Sequence, residues 1–302
     1  MQPFAATGAA LGADLRGDRA ADGATDRPAD GATDGPAAGA ADGATDGAND
    51  PAAAARTDLR GGRDPAAPVH APATPAMLAA LNRHARGLTN ARGLPLRFVP
   101  QHELPAGIAY ESHIFATGAV PTRANLHDTF NALMWRHFPA TKRLLNRLQA
   151  EEIGRAGVQA GRGGLRDAAT LFDENAVVFL YEDAALETAL RAFQWETLFV
   201  TARAAWGERC AVVPFGHALL EKLVSPYKSV TAHAWPLALS PRSTLAEIDQ
   251  ALAASLQSAS PTLRGGRGFA PLPVMGIPGW CDDNTDPAFY ADTSVFRPGR
   301  RR

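Results

Sequence analysis

The chain has 302 residues, 46% of them hydrophobic, with 30 Lys and Arg against 31 Asp and Glu and a formal net charge of -1. Such a balance gives no nucleic-acid surface, and two cysteines, Cys210 and Cys281, are too few and too far apart for a zinc knuckle or a disulfide framework. No run approaches the roughly 18 apolar residues of a membrane span, and no basic segment leads into an apolar one at the N-terminus, so the expectation is a soluble, cytoplasmic protein.

Residues 1–70 differ in composition from the rest. ADGATD recurs at Ala21, Ala29 and Ala41 in an Ala, Asp, Gly, Thr and Pro background whose only aromatic residue is Phe4. Too little apolar surface is available there to offset chain entropy, so the segment is expected to be a disordered acidic extension, with the folded domain at 71–302. It holds 6 Lys and Arg and 11 Asp and Glu, which leaves 24 and 20 for the remainder. The folded part is thus mildly basic, partly through Arg297, Arg300, Arg301 and Arg302 at a solvated terminus.

From Thr74, with Pro75 at the first helical position, the pattern predicts a helix through Met77, Leu78, Leu81 and His84 to Gly87. Leu94 to Val99 reads as a short strand, and Pro105 to Val120 as an extended or irregular segment carrying Tyr110, Glu111 and His113. The stretch from Pro121 to Gln149 organises the chain. Leu126, Phe130, Leu133 and His137 fall on one helical stripe, widened by Ala132, Trp135 and Phe138, so this helix should be buried on most sides. Its first turns nevertheless hold Arg123, His127, Asp128 and Asn131. Polar groups removed from water cost about 1–3 kcal/mol each unless they find partners or a ligand. Asn125 with Asp128 also resembles a capping-box variant. Past a break at Pro139, Lys142, Asn146 and Gln149 form a polar line opposite Leu144, Leu145 and Leu148, able to face the first helix across a pocket.

The Gly- and Arg-rich stretch from Gly154 to Asp167 reads as a mobile connection, since it lacks the spacing of a phosphate loop. Leu165 to Phe172 should be a short helix bearing Arg166 and leading into Asp173 and Glu174, followed by a buried strand, Ala176 to Tyr181. Asp183 caps a helical region that runs to Trp206 and breaks near Gln194. A second buried strand, 210–215, leads to a helix opened by Gly216. That helix sets His217 and Glu221 at i, i+4, a spacing that can hold a metal or, more commonly, an intrahelical hydrogen bond. Lys228 to Leu239 is a third strand, and an amphipathic helix starts at Ser243 with Leu245, Ile248, Leu252 and Leu256 inward. The last 35 or so residues are rich in turns yet carry Trp280, Phe289, Tyr290 and Phe296, the marks of a strap packed back over the domain. Its acids Asp282, Asp283, Asp286 and Asp292 do not match an EF-hand spacing and suit turn formation better.

The segments from Val120 to Gln149, RDAATLFDE, FGHALLEKL with TAHA, PLPVMGIPGW and FYADTSVFRP together resemble the bacterial domain-of-unknown-function family 3025 over about residues 94–298. That resemblance implies one domain containing the central helices, the RD and FDE segments and the strap, and brings no established activity. Three or so strands among six or more helices favour an α+β class: a helix-rich single domain with a small mixed sheet and a long irregular C-terminal strap.

Two functions are open. One is an enzyme, a metal-assisted hydrolase or transferase acting on an anionic small molecule. In it His127 is general base or ligand to a divalent metal, and Asp128, Asp173 and Glu174 supply carboxylates. Arg123, Asn131, Lys142, Asn146, Arg166 and Trp280 hold the substrate. The other is a non-catalytic ligand-binding or interaction module whose buried polar residues are structural. The chain lacks a GxSxG elbow, an HExxH helix, a Walker loop and a GxGxxG turn.

Overall fold

A computed structural model describes residues 71–156, 163–263, 265–266 and 268–299. The expected acidic extension lies outside these residues, as do residues 157–162 of the expected Gly- and Arg-rich connection; its two ends, 154–156 and 164–167, are helical rather than a mobile link.

Helix α1, Pro75–His84, starts as its sequence requires, with the Thr74 hydroxyl accepting from the Met77 N–H at 3.2 Å and Pro75 in the first turn. Strand β1, Arg97–Pro100, pairs in parallel with β2, Ala119–Thr122. Between them the segment expected to be extended forms helix α2, Tyr110–Thr117, and β2 itself was not foreseen. Sequence periodicity misses α2 because its apolar residues do not segregate to one face. It ends at Gly118, whose φ of 73° needs glycine and whose Cβ, if present, would meet the Pro95 carbonyl oxygen at 2.4 Å.

The central stretch divides as its residues dictate into α3, Leu126–His137, and α4, Pro139–Ala156. Asn125 caps α3 by accepting from the Asp128 N–H at 2.7 Å. Asp128 does not complete a capping box, because its carboxylate is taken by the backbone N–H and guanidinium of Arg123. The apolar stripe is also shorter than expected: Leu126, in the first turn, is 49% exposed. The start of α4 is capped from elsewhere. Buried Asp249 accepts from the Ala140 and Thr141 N–H groups at 2.8 and 2.9 Å, satisfying donors that the helix itself cannot.

Helix α5, Gly164–Asn175, runs further than its apolar pattern and carries Asp173 and Glu174 in its last turn. Strand β3, Ala176–Tyr181, follows directly, then α6, Ala184–Arg191, capped by Asp183, and a π-helical turn over Glu196–Thr201 beyond the break at Gln194. Strand β4 is Cys210–Pro214, α7 His217–Lys222, β5 Thr231–Ala238, α8 Leu245–Ala259 and β6 Ala270–Pro273. The cap of α8 is Thr244, in a reciprocal box with Glu247, one residue beyond the expected Ser243.

The sheet has order β4-β3-β5-β6, with β3 parallel to β5 and antiparallel pairs at either side. Because successive side chains alternate, Ala176, Val178 and Leu180 face a core built with α3, α4, α5 and α8, while Val177 and Phe179 face a second core. That second core contains Phe199, Leu272, Met275 and Phe296, so the C-terminal segment does close over the sheet. A third cluster joins α1, β1, α2, β2 and α3 through Leu81, Phe98, Ile114, Val120 and Trp135. The class is α+β, helix-rich with a small mixed sheet, and no described helix is long and apolar enough to cross a membrane.

Candidate metal centre

Three helix ends meet where α5 passes into β3. Gly216, at the start of α7, lies so close to this junction that a Cβ would stand 2.5 Å from the Glu174 oxygen and from the Asn175 and Ala176 nitrogens. The Gly216 N–H donates to the Ala176 carbonyl at 2.8 Å. Only glycine allows that approach, and it brings His217 beside Glu174. The first turn of α3 supplies His127 from the other side.

The result is a group of three ligand-bearing atoms. His127 Nε2 and His217 Nε2 are 3.1 Å apart. Glu174 Oε2 lies 3.3 Å from His217 Nε2 and 3.9 Å from His127 Nε2. The rings meet edge-on at 78° with centroids 4.4 Å apart. Each imidazole has an acid behind it: Glu221 Oε2 is 3.3 Å from His127 Nδ1, and Asp173 Oδ2 is 4.0 Å from His217 Nδ1. The latter nitrogen is buried and makes no hydrogen bond.

Beneath the histidines runs a buried polar chain. The Lys142 ammonium donates to both Asp173 oxygens at 2.6 and 2.8 Å and to Asn131 Oδ1 at 2.8 Å, which uses its three donors. Asn131 in turn donates to the Tyr110 hydroxyl at 3.1 Å. Asn146 donates to the carboxylate and the carbonyl of Glu111 at 2.7 and 2.9 Å. Burial, with the nearby charges of Glu111, Asp128 and Asp173, holds the Tyr110 phenol well above its ordinary range. Burial and then the charge of Asp173 raise Glu111. Burial alone would push Glu174 up and His217 down. The hydrogen bond between them and the surrounding charges outweigh it, so Glu174 is lowered and His217 raised.

A cleft of about 260 Å³ opens over this arrangement, with Tyr110, Glu111, Arg123, His127, Asp173 and Glu174 among its walls. Of the residues singled out in the sequence, His127, Asp128, Asp173, Glu174, Arg123 and Asn131 all line it, and Lys142 and Asn146 lie directly behind. Arg166 and Trp280 are not among its walls, and Trp280 packs on the strap-side core. The cations expected to grip an anion are engaged. Arg123 makes a two-pronged ion pair with Asp128 at 3.0 and 2.9 Å, and Lys142 is held by Asp173. Besides the Tyr110 phenol, the charged and titratable side chains of the cleft walls are Glu111, Asp128, Asp173 and Glu174 with Arg123, His127 and His217, and of the acids Asp128 is paired with Arg123 and Asp173 with Lys142 behind the wall.

His217 and Glu221 were visible as an i, i+4 pair, but neither bonds the other: both turn to His127. Tyr110 and Glu111, which their place just ahead of the central helix allowed as pocket residues, do line the cleft, carried there by α2 as it packs against α3 and α4. Of the strap acids, Asp286 and Asp292 take turn roles, Asp286 accepting from the Ala288 N–H and Asp292 from the Ser294 N–H and hydroxyl, with Asp292 also paired to Lys228.

A family model described as a protein of unknown function, DUF3025, matches residues 96–300. The chain belongs to the DUF3025 family. No curated protein and no solved structure matches it. The DUF3025 match spans β1 to the strap, so all three ligand-bearing residues and the acids behind them lie within the family domain.

Proposed function

We propose that this DUF3025 domain is a metal-assisted hydrolase, with a divalent cation held by His127 Nε2, His217 Nε2 and Glu174 Oε2. One observation carries the reading. Ligands about 2.0–2.1 Å from a tetrahedral ion stand roughly 3.3 Å from each other, and these three atoms are separated by 3.1, 3.3 and 3.9 Å. Two imidazoles and one carboxylate suit zinc or a first-row divalent ion and leave further coordination positions toward the cleft. Glu221 and Asp173 would fix the orientation of the rings, as acids behind metal-bound histidines commonly do.

When bound, the ion would act as a Lewis acid on a carbonyl or phosphoryl oxygen. The protein supplies the rest. Glu111, raised by burial and by the charge of Asp173, would be the carboxyl in the cleft wall to take or deliver a proton. Arg123 restrains Asp128 at the rim, and the buried chain of Lys142, Asn131 and Tyr110 holds Asp173 in place. For an anionic substrate, attraction would come from the cation, because Arg123 and Lys142 are already engaged by Asp128 and Asp173. The non-catalytic alternative is favoured for Lys142 itself, whose donors all end on protein acceptors.

The test is calorimetric titration of the metal-free full-length protein with zinc, and with cobalt to read the visible bands of tetrahedral coordination. One equivalent is expected. His127→Ala and His217→Ala should each abolish tight binding, and Glu221→Ala should weaken it about 10–100-fold. Absence of binding by zinc, cobalt and manganese at micromolar protein would overturn the reading.

A further inference from the structure

Among the described residues, one donor in the cleft wall is left over. The Lys142 ammonium has only hydrogens to offer, so its bond to Asn131 at 2.8 Å fixes which end of that amide is the oxygen. The nitrogen end therefore meets Tyr110, at 3.1 Å, and the phenol oxygen accepts. That leaves the phenol O–H to find an acceptor of its own, and among the described residues it has none. The nearby carboxylates are already engaged. Both Asp128 oxygens bind Arg123, both Asp173 oxygens bind Lys142, and Glu111 accepts from Asn146. Burial and those same acids hold the phenol well above its ordinary range, so it keeps its proton. Tyr110 and Asn131 are both walls of the cleft.

His127, Glu174 and His217 line the same cleft, whose volume of about 260 Å³ lies below the roughly 300–1,000 Å³ of sites that enclose a drug-sized ligand. A reacting group held at the three ligands thus shares one small space with the phenol. Charge then separates the substrate classes. A phosphoryl group spreads negative charge over several oxygens and is held by Arg, Lys or metal clamps. Here Arg123 is paired with Asp128 and Lys142 with Asp173, so neither is free to clamp. What remains is one neutral O–H. It matches the single oxygen on which charge develops when an uncharged carbonyl is attacked.

We infer that the substrate is an uncharged acyl compound, an ester or amide, and that Tyr110 is a catalytic residue whose O–H donates to the acyl oxygen as it becomes an oxyanion. This rests on the hydrolase reading and narrows it from carbonyl or phosphoryl to carbonyl chemistry. In the reaction a water oxygen bonds to the acyl carbon, and the carbonyl π pair moves onto the acyl oxygen, where the phenol holds it. When that pair returns, the bond from carbon to the leaving oxygen or nitrogen breaks with its electrons on the leaving atom. One water hydrogen passes to that atom by way of Glu111, giving a carboxylic acid and an alcohol or amine.

The experiment uses the full-length chain loaded with zinc. The p-nitrophenyl esters of acetate and of phosphate compare the two classes with one leaving group, and turnover by His217→Ala is subtracted as background. The acetate should be cleaved and the phosphate left. Tyr110→Phe should lower kcat on the acetate about a hundredfold with little change in KM. Tyr227→Phe, on an exposed side chain outside the cleft walls, should leave both unchanged. Binding gives a readout apart from turnover. In calorimetry acetohydroxamate, which presents an acyl oxygen, should bind Tyr110→Phe about tenfold more weakly than wild type, with zinc binding equal in the two. A tyrosine fluorinated beside its hydroxyl, placed at position 110, keeps the ring and its bond to Asn131, and its fluorine resonance should move when acetohydroxamate is added. If neither ester turns over, these two binding measurements decide. Unchanged kcat and acetohydroxamate affinity in Tyr110→Phe, an unmoved fluorine resonance, or turnover of the phosphate at a rate comparable with the acetate would overturn the inference, and zinc binding would still leave the hydrolase reading standing. A chain that binds no metal removes that reading and the inference with it.

Discussion

Lys142→Met is the substitution that most directly tests whether the site rests on its buried polar chain. The ammonium is buried, with both Asp173 oxygens and Asn131 Oδ1 within 2.8 Å and the Trp135 ring 5.4 Å away. Methionine matches the length of the stem and removes the charge. Asp173, itself buried, is then left without its counter-ion, and breaking a buried pair in this way costs about 3–5 kcal/mol. An exposed pair would cost about 0–1 kcal/mol. For a folded part of this size each kcal/mol moves the midpoint by roughly 2–4 °C, so Tm should fall by about 6–20 °C. Urea unfolding at constant m measures the loss directly. Adding Asp173→Leu, which removes the stranded acid, should recover most of the stability, with a coupling of about 2 kcal/mol or more in the double-mutant cycle. A single-variant loss below about 1 kcal/mol, or strict additivity in the cycle, refutes the reasoning. The same variant should weaken zinc binding about tenfold, because Asp173 stands behind His217.

Other outcomes follow from the same structure. Asp249→Ala removes the acceptor for two N–H groups at the start of α4, one buried and one partly buried, and should cost about 2–4 kcal/mol in chemical denaturation. Gly216→Ala forces a Cβ against three backbone atoms and should cost about 3 kcal/mol or more. It should also displace His217 enough to impair metal binding in calorimetry. His233 provides the pH test. Burial, helped by the charge of Lys222, pulls it down to about 4, so the fold favours its neutral form. Its contribution is complete above the unfolded value near 6.5 and is lost as pH falls toward 4, a change of about 3 kcal/mol over that window. Comparing urea midpoints of wild type and His233→Phe at pH 7 and pH 4.5 should show a flatter acid limb in the variant; parallel limbs would remove His233 as a cause.

Much of the architecture was legible in the chain because its signals are local. Thr74 and Pro75 start α1, Pro139 divides the central helices, and the unbroken apolar run from Ala176 to Leu180 marks a strand covered on both faces. Aromatic residues in a turn-rich tail similarly required that the tail pack on something, and Phe296 lies in the core beyond the sheet. The reverse holds for α2 and β2, where a short helix with dispersed apolar residues and a strand containing Pro121 carry no periodic signature.

The site divides along the same line. Sequence alone raised the expectation that His127, Asn131, Lys142 and Asp173, set among apolar residues, would need partners, because polar groups lose hydration there whatever the topology; Asn131, Lys142 and Asp173 are buried, and His127 is only partly so. Which partners they take was decided by tertiary structure. His127 and His217 are 90 residues apart, and their nitrogens meet at 3.1 Å only because Gly216 lets α7 press against the end of α5. The pairing of Lys142 with Asp173, rather than with a ligand, likewise depends on the packing of α4 against α5. Helical spacing fixes neighbours within a turn or two, whereas contacts between elements follow from how their apolar faces pack, a long-range outcome that no local pattern encodes.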